Sequence, residues 1–160
     1  MVTMVRVDDR LLHGQIICSW VPDIKAELLV VASDEAAGDE LTREILCSCA
    51  HKDLKVLVLG VADTAREVRA GAFNGSRTII IVGDLADAMR LYREGMRFTS
   101  LNIGNIHHER KGRKLTPSVI VDPDDEVIMS EFQSLGVEID IRAVPASEPG
   151  CFAARSGTRS

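Results

Sequence analysis

Val5-Arg6-Val7-Asp8-Asp9-Arg10-Leu11-Leu12-His13-Gly14-Gln15-Ile16 passes from an alternating stretch into a charged turn and then into the start of a helix. Val5 and Val7 flank Arg6 with the period of two that suits a strand. Asp8 and Asp9 stop it. Gly14 lets backbone come close to whatever His13 holds, and Gln15 onward reads as a short helix stopped by Pro22. A polar loop of this kind at the carboxyl end of a parallel strand is where open α/β sheets place their chemistry.

Outward from that stretch the pattern repeats. Glu27-Leu28-Leu29-Val30-Val31-Ala32 is almost continuously apolar, as is Thr78-Ile79-Ile80-Ile81-Val82-Gly83, and such runs describe strands buried on both faces. Lys55–Gly60 and Phe98–Gly104 read as two more. Helices are expected between them, with stripes at Leu41, Ile45 and Cys49, at Ala65, Val68 and Ala72, and at Leu85, Met89 and Tyr92. Asp84 can cap the last of these, and Gly95 can end it. Leu115–Asp122 is a strand broken by Pro117 and so belongs near an edge. Pro123 opens a helix with Ile128, Phe132 and Leu135 on one face, and Val137–Arg142 alternates like a half-exposed edge strand. The fold class is therefore α/β: an open, mainly parallel twisted sheet of about six or seven strands, helices on both faces, and an antiparallel edge strand. Residues 1–145 read as one domain and 146–160 as a loose tail.

The 160 residues suffice for one domain with a core, and 46% apolar against 27% charged residues is ordinary for a globular protein. Aromatics make up only 4%, so the core must be aliphatic. A net charge of −5 argues against a general nucleic-acid binder. No apolar run reaches the ~20 residues that span a bilayer, and no signal segment opens the chain. The expectation is a cytoplasmic protein that meets the membrane only through partners. Cys47 and Cys49 lack zinc spacing, and reduced thiols fit that compartment. A homo-oligomer stays open on this reading.

Arg10 and His13 are the residues that can act together. Three positions apart, they share one side of a turn or helix. An imidazole is a nucleophile only when neutral; a guanidinium and a helix amino end oppose positive charge on the ring, and both attract an anion. That combination suits taking a phosphoryl group onto a ring nitrogen and passing it on. Arg10 and the amides of Gly14 and Gln15 would spread the transition-state charge, with no metal or other cofactor called for. Asp8 or Asp9 could fix the tautomer by accepting a proton from the other ring nitrogen. Asp34, at a strand's carboxyl end, could reach the loop or serve as a helix cap. His107 and His108 lie in a polar loop without further metal-ligand spacing, and Arg110-Lys111-Gly112-Arg113-Lys114 is a basic cluster that reads as a solvated hairpin or a docking patch. The dinucleotide fingerprint and the P-loop are both missing. A receiver domain would want an aspartate ending the third strand and a lysine ending the fifth, where this chain has Gly60 and Gly104.

Arg6 through Gln15, followed by Trp20, resembles the signature of the mannose/fructose/sorbose-family IIB subunits of the bacterial phosphoenolpyruvate-dependent sugar phosphotransferase system (PTS). Ser33-Asp34-Glu35-Ala36-Ala37-Gly38-Asp39, Leu101-Asn102-Ile103-Gly104 and Gly136-Val137-Glu138-Ile139 through Val144-Pro145 keep that family's order and spacing. The resemblance implies that His13 is the phosphorylated residue and that Arg10 supports the phosphoryl group. It implies a IIA subunit as donor, with a sugar in the membrane IIC/IID complex as acceptor. Two alternatives are a regulatory phosphocarrier not coupled to uptake and a small-ligand-binding domain in which His13 is only a contact. One departure stands out: relatives usually read Asn-x-Gly-Gly-Met where this chain has Asn102-Ile103-Gly104-Asn105-Ile106. Asn tolerates left-handed geometry, so the turn expected there can survive.

Overall fold

A computed structural model describes residues 1–108 and 112–153. The chain begins with β1 (Val2–Asp8), followed by the short helices α1 (Gly14–Cys18) and α2 (Trp20–Ile24) and then β2 (Leu28–Ala32). Next come α3 (Asp34–Gly38), α4 (Glu40–Cys47), β3 (Lys55–Leu59), α5 (Val61–Arg69), β4 (Thr78–Val82), α6 (Leu85–Arg93) and β5 (Ser100–Asn105). The last part holds β6 (Arg113–Thr116), β7 (Val119–Val121), α7 (Pro123–Ser134) and β8 (Glu138–Ile141). Six strands form one sheet in the order β3-β2-β4-β1-β5-β8, and every pairing in it is parallel.

The apolar runs explain the layering. Leu28, Val30, Ala32, Ile80, Val82 and Ile103 face a core closed by Val61 and Ala65 of α5, Leu85 and Ala88 of α6, and Met129 and Phe132 of α7. Leu29, Val31, Ile79 and Ile81 face the other core, closed by Ile16, Trp20, Ala36 and Leu46 of α1 to α4. Each fully buried aliphatic side chain contributes about 1.5–3 kcal/mol, so strands buried on both faces hold the sheet in place. The chain leaves β1 toward the α1–α4 side, whereas β4 is followed by α6, and β5 through the β6–β7 ribbon by α7, on the opposite side. The loops diverge at the carboxyl end of β1, the position at which open α/β sheets place their ligands.

Several details differ from the sequence expectation. The antiparallel pairing lies in a separate β6–β7 ribbon, folded about Pro117 and Ser118, rather than at the sheet edge; the edge strand β8 runs parallel to β5. The ribbon touches the end of β5 where Ile106 bridges Val119. Pro22 does not stop a helix: it is the third residue of α2, where an amide hydrogen would have no intrahelical acceptor. Leu41 and Ile45 are exposed, and α4 buries Leu46 instead. This helix lies beside the edge strand β3, so little of its surface has sheet to cover it.

The carboxyl-terminal segment is not loose from residue 146 onward. Gly150 donates its N–H to Ile141 O at 2.8 Å, Phe152 is buried in the α5–α7 core, and Arg113 lies 5.7 Å over its ring. Burying one aromatic ring is enough to hold so short a stretch. The rest of the expected tail, 154–160, lies outside the described residues, as do 110 and 111 of the basic cluster. In what remains of that cluster, Arg113 pairs with Glu126 at 3.2 Å. No helix among the described residues is long and apolar enough to cross a membrane.

Candidate active site

The site grows out of the last residues of β1. Asp8 is completely buried, and its backbone carbonyl accepts the Leu11 N–H at 2.9 Å, closing a turn over Asp9 and Arg10. Its Oδ1 accepts the Arg10 N–H at 3.0 Å. Leu11 then takes a left-handed conformation, φ 56°, which costs a non-glycine residue roughly 1–2 kcal/mol. Burial of Leu12 beside it offsets that cost. The chain is extended at His13 and becomes helical at Gly14, so His13 occupies the position just before α1.

His13 Nε2 lies 2.8 Å from Asp8 Oδ2, and 18% of the side chain is exposed. An ionised carboxylate can only accept, so the ring nitrogen that faces it carries the hydrogen. Nδ1 is left with its lone pair, and among the described residues it has no hydrogen-bond partner. Two guanidinium groups meet the same carboxylate: Arg6 Nη2 donates to Oδ2 at 3.0 Å, and Arg10 Nε lies 3.6 Å from Oδ1. Of the two acids that sequence leaves open for orienting the ring, the structure brings Asp8 to it.

Asp9 turns the other way. Its N–H donates to Asn105 O at 3.0 Å, and its carboxylate accepts the His107 N–H at 2.8 Å and the Asn105 side-chain amide. Asp9 thus fastens the β1 loop to the end of β5. Asn105 is the last residue of that strand, not a left-handed turn residue, and the Asn105-Ile106 departure supplies one anchor for Asp9 and one buried side chain. His107 and His108 are braced rather than freely solvated, His108 through Asp125 of the α7 capping box.

Arg10 is half exposed. Its Nη2 donates to Gln15 Oε1 at 3.1 Å, so the guanidinium is linked across to the first turn of α1 and not to the imidazole. Gly14 is exposed, and a Cβ placed there would meet nothing within 4 Å. The glycine is therefore not required by packing. Asp34 does not join the others. Its Oδ1 accepts the Val61 N–H at 2.9 Å and its Oδ2 pairs with Arg90 at 2.8 Å, so it ties β2 to α5 and α6. Those two bonds, Arg90 first, hold its carboxyl below the usual carboxylate range.

The sequence reading gives Arg6 no role in the site. Arg6 looks like the solvent half of an alternating strand, yet its side chain is wholly buried. Besides Asp8, its Nη1 donates to Asn102 Oδ1 at 2.7 Å and to Arg142 O at 3.3 Å. Trp20 covers it at 5.8 Å and also donates its indole N–H to Ala143 O at 2.8 Å. Burial pushes the guanidinium below its ordinary pKa, and the Asp8 charge opposes that push. Gly104 makes room for it: a Cβ there would fall inside the Arg6 guanidinium. Asn102 and Gly104 are two apart on β5 and share the Arg6 face, which is the one sequence signal that could have shown this pocket.

A buried carboxylate orients one nitrogen of a partly exposed imidazole beside a half-exposed arginine, a set of groups chemically able to take up a phosphoryl group. Comparison with known proteins identifies the family. Residues 2–154 match the family model described as the PTS system sorbose subfamily IIB component. A probable phosphotransferase enzyme IIB component of Streptococcus pyogenes serotype M6 is 33% identical over 146 residues, covering 88% of this chain and 89% of the relative. The mannose-specific EIIAB component of Escherichia coli is 27% identical over 143 residues, covering 89% of this chain and 44% of that longer protein. The crystal structure of the IIBSor domain of the sorbose permease from Klebsiella pneumoniae superposes with a TM-score of 0.86 at 27% identity, covering 93% of this chain and 91% of that one. The chain belongs to the sorbose-subfamily IIB family of the phosphotransferase system, whose members are phosphotransferases.

Proposed function

We propose that Nδ1 of His13 accepts a phosphoryl group from a phosphohistidine on a IIA partner and hands it to a sugar taken up through a membrane IIC/IID complex. The observation that carries this reading is the bond from His13 Nε2 to the buried Asp8 carboxylate, which leaves the other nitrogen unpartnered among the described residues. In the transfer, the Nδ1 lone pair forms a bond to phosphorus while the donor's N–P bond breaks. The electron pair leaves with the donor imidazole. The His13 ring becomes positive as the bond forms, and Asp8 stabilises that charge from the far side. Arg10 and the first-turn amides at Gly14 and Gln15, which have no intrahelical acceptors, face the phosphoryl oxygens. A IIA donor fits the relative from E. coli, whose name joins A and B components in one protein.

Incubation with phosphoenolpyruvate, the general phosphotransferase proteins and a cognate IIA is expected to place an acid-labile, base-stable phosphate on the chain. Acid-stable label, or none at all, would contradict the reading.

Gly14 gives a sharper test of access. Open space surrounds its Cα, so Gly14→Ala is expected to leave the melting temperature unchanged or slightly raised, since alanine favours a helix over glycine by at most about 1 kcal/mol. The added methyl sits where a second protein's phosphoryl group must approach. The rate of acceptance is expected to fall about tenfold, within the roughly hundredfold that a misplacement of about 1 Å can cost. A variant that transfers at the wild-type rate would show that the donor comes in from another side.

A further inference from the structure

The geometry points to Arg6 as a positioning residue for phosphoryl acceptance, acting through Asp8 to keep His13 Nδ1 free of a proton. The inference rests on the reading of His13 just given. A buried carboxylate 2.8 Å from an imidazole does two opposed things. It fixes the ring by taking the Nε2–H, and it favours a second proton on Nδ1, since a positive ring next to a lone buried anion is stabilised. A ring protonated at Nδ1 cannot attack phosphorus. The structure places a second cation on the same oxygen: Arg6 Nη2 and His13 Nε2 both meet Asp8 Oδ2, at 3.0 and 2.8 Å. The Arg6–Asp8 pair is neutral overall, so Asp8 keeps its acceptor geometry without the full pull of an isolated charge.

The cation is locked in this role. Arg6 is buried, held by Asn102 Oδ1 and Arg142 O, covered by Trp20 and accommodated by Gly104. Other charged groups surround the pair. Arg10 approaches Oδ1 of Asp8 at 3.6 Å, while Asp140 and Arg142 on the β8 side are paired with each other at 2.8 Å. His107 pairs with Asp9, at 3.7 Å, on the adjoining loop. None of these shares Oδ2. During transfer the bond formed is Nδ1–P, the bond broken is P–N of the donor, and the proton on Nε2 stays on the ring facing Asp8.

The test uses the full chain with 15N-labelled histidine, the His13 signals being those lost in His13→Ala, together with single-turnover acceptance from phosphorylated IIA between pH 5.5 and 8.5. In Arg6→Met the titration midpoint of the His13 ring is expected to rise by about one pH unit, as befits unmasking a neighbouring anion. Acceptance at pH 6 should fall about tenfold and at pH 8.5 much less. Arg6→Met/Asp8→Asn keeps an oxygen to accept Nε2–H but removes the charge that Arg6 no longer balances. Its midpoint is expected to return toward that of the wild type, with acceptance at pH 6 recovering to within about threefold. If Arg6→Met does not fold, Arg6→Lys, which keeps a charge but loses the fork, should show a smaller change in the same direction.

A folded Arg6 variant whose midpoint and pH profile are those of the wild type would overturn the inference, as would a folded double variant that recovers neither. If the wild-type chain takes no phosphoryl group, the reading of His13 falls, and the titration midpoints still decide the role of Arg6.

Discussion

His13→Ala is expected to take no phosphoryl group from phosphorylated IIA under conditions that label the wild-type chain to completion. Among the described residues no substitute nucleophile adjoins it. Arg10 is a cation, Gln15 is an amide, and Asp8 is buried with its oxygens engaged. His107, the other imidazole beside the loop, sits on the far side of Asp9. The fold should survive, because the substitution removes one hydrogen bond from a partly exposed ring and Asp8 keeps Arg6 and Arg10. A loss of about 1 kcal/mol is the expected size. Circular dichroism and denaturant unfolding check the fold, and acid-labile label measures the chemistry. Undiminished label in this variant would defeat the assignment.

Gly104→Ala is expected to damage the fold more than any other single-methyl change near the site. The new carbon would occupy the Arg6 guanidinium, which cannot swing to water because it is buried between Asn102, Asp8 and Trp20. Either the strands separate or the cation leaves Asp8. Breaking a buried ion pair by removing one partner costs about 3–5 kcal/mol, and overpacking alone about 1–3. Urea unfolding should therefore show a loss of roughly 3–5 kcal/mol. A loss under about 1 kcal/mol would mean that the strand spacing adjusts easily and the pocket is less rigid than the bonds around Arg6 indicate.

The layering was legible because β2 and β4 read as nearly unbroken apolar runs, and only a sheet covered on both faces buries such runs. The cap at Asp84 and the helix start at Pro123 were legible because each depends on residues next to it in sequence. The His13 loop was legible as charged residues stopping a strand. Arg6 was not, since period-two alternation cannot distinguish a polar residue that faces water from one that faces a buried polar pocket. What settles its side is Asn102 and Gly104, about a hundred residues away on β5. Asp34 stayed open between two roles for a related reason: a carboxylate at a strand end can reach several loops, and its partners, the first amide of α5 at Val61 and Arg90 of α6, lie on two other elements. Leu41 and Ile45 had the right spacing for a buried stripe, but spacing does not say how far a sheet extends beneath a helix. The split of Asp8 from Asp9 required the β1–β5 register, which brings Asp8 opposite Asn105 and turns Asp9 toward His107.

The central claim is that Asp8 holds one nitrogen of His13 so that the other accepts phosphorus. It is tested most directly by heteronuclear NMR of the phosphorylated, 15N-histidine-labelled chain at neutral to alkaline pH, where the phosphoramidate bond survives. One-bond coupling of phosphorus to Nδ1 is expected, with Nε2 still carrying its hydrogen. Phosphorus coupled to Nε2, the atom 2.8 Å from Asp8 in this structure, would contradict it.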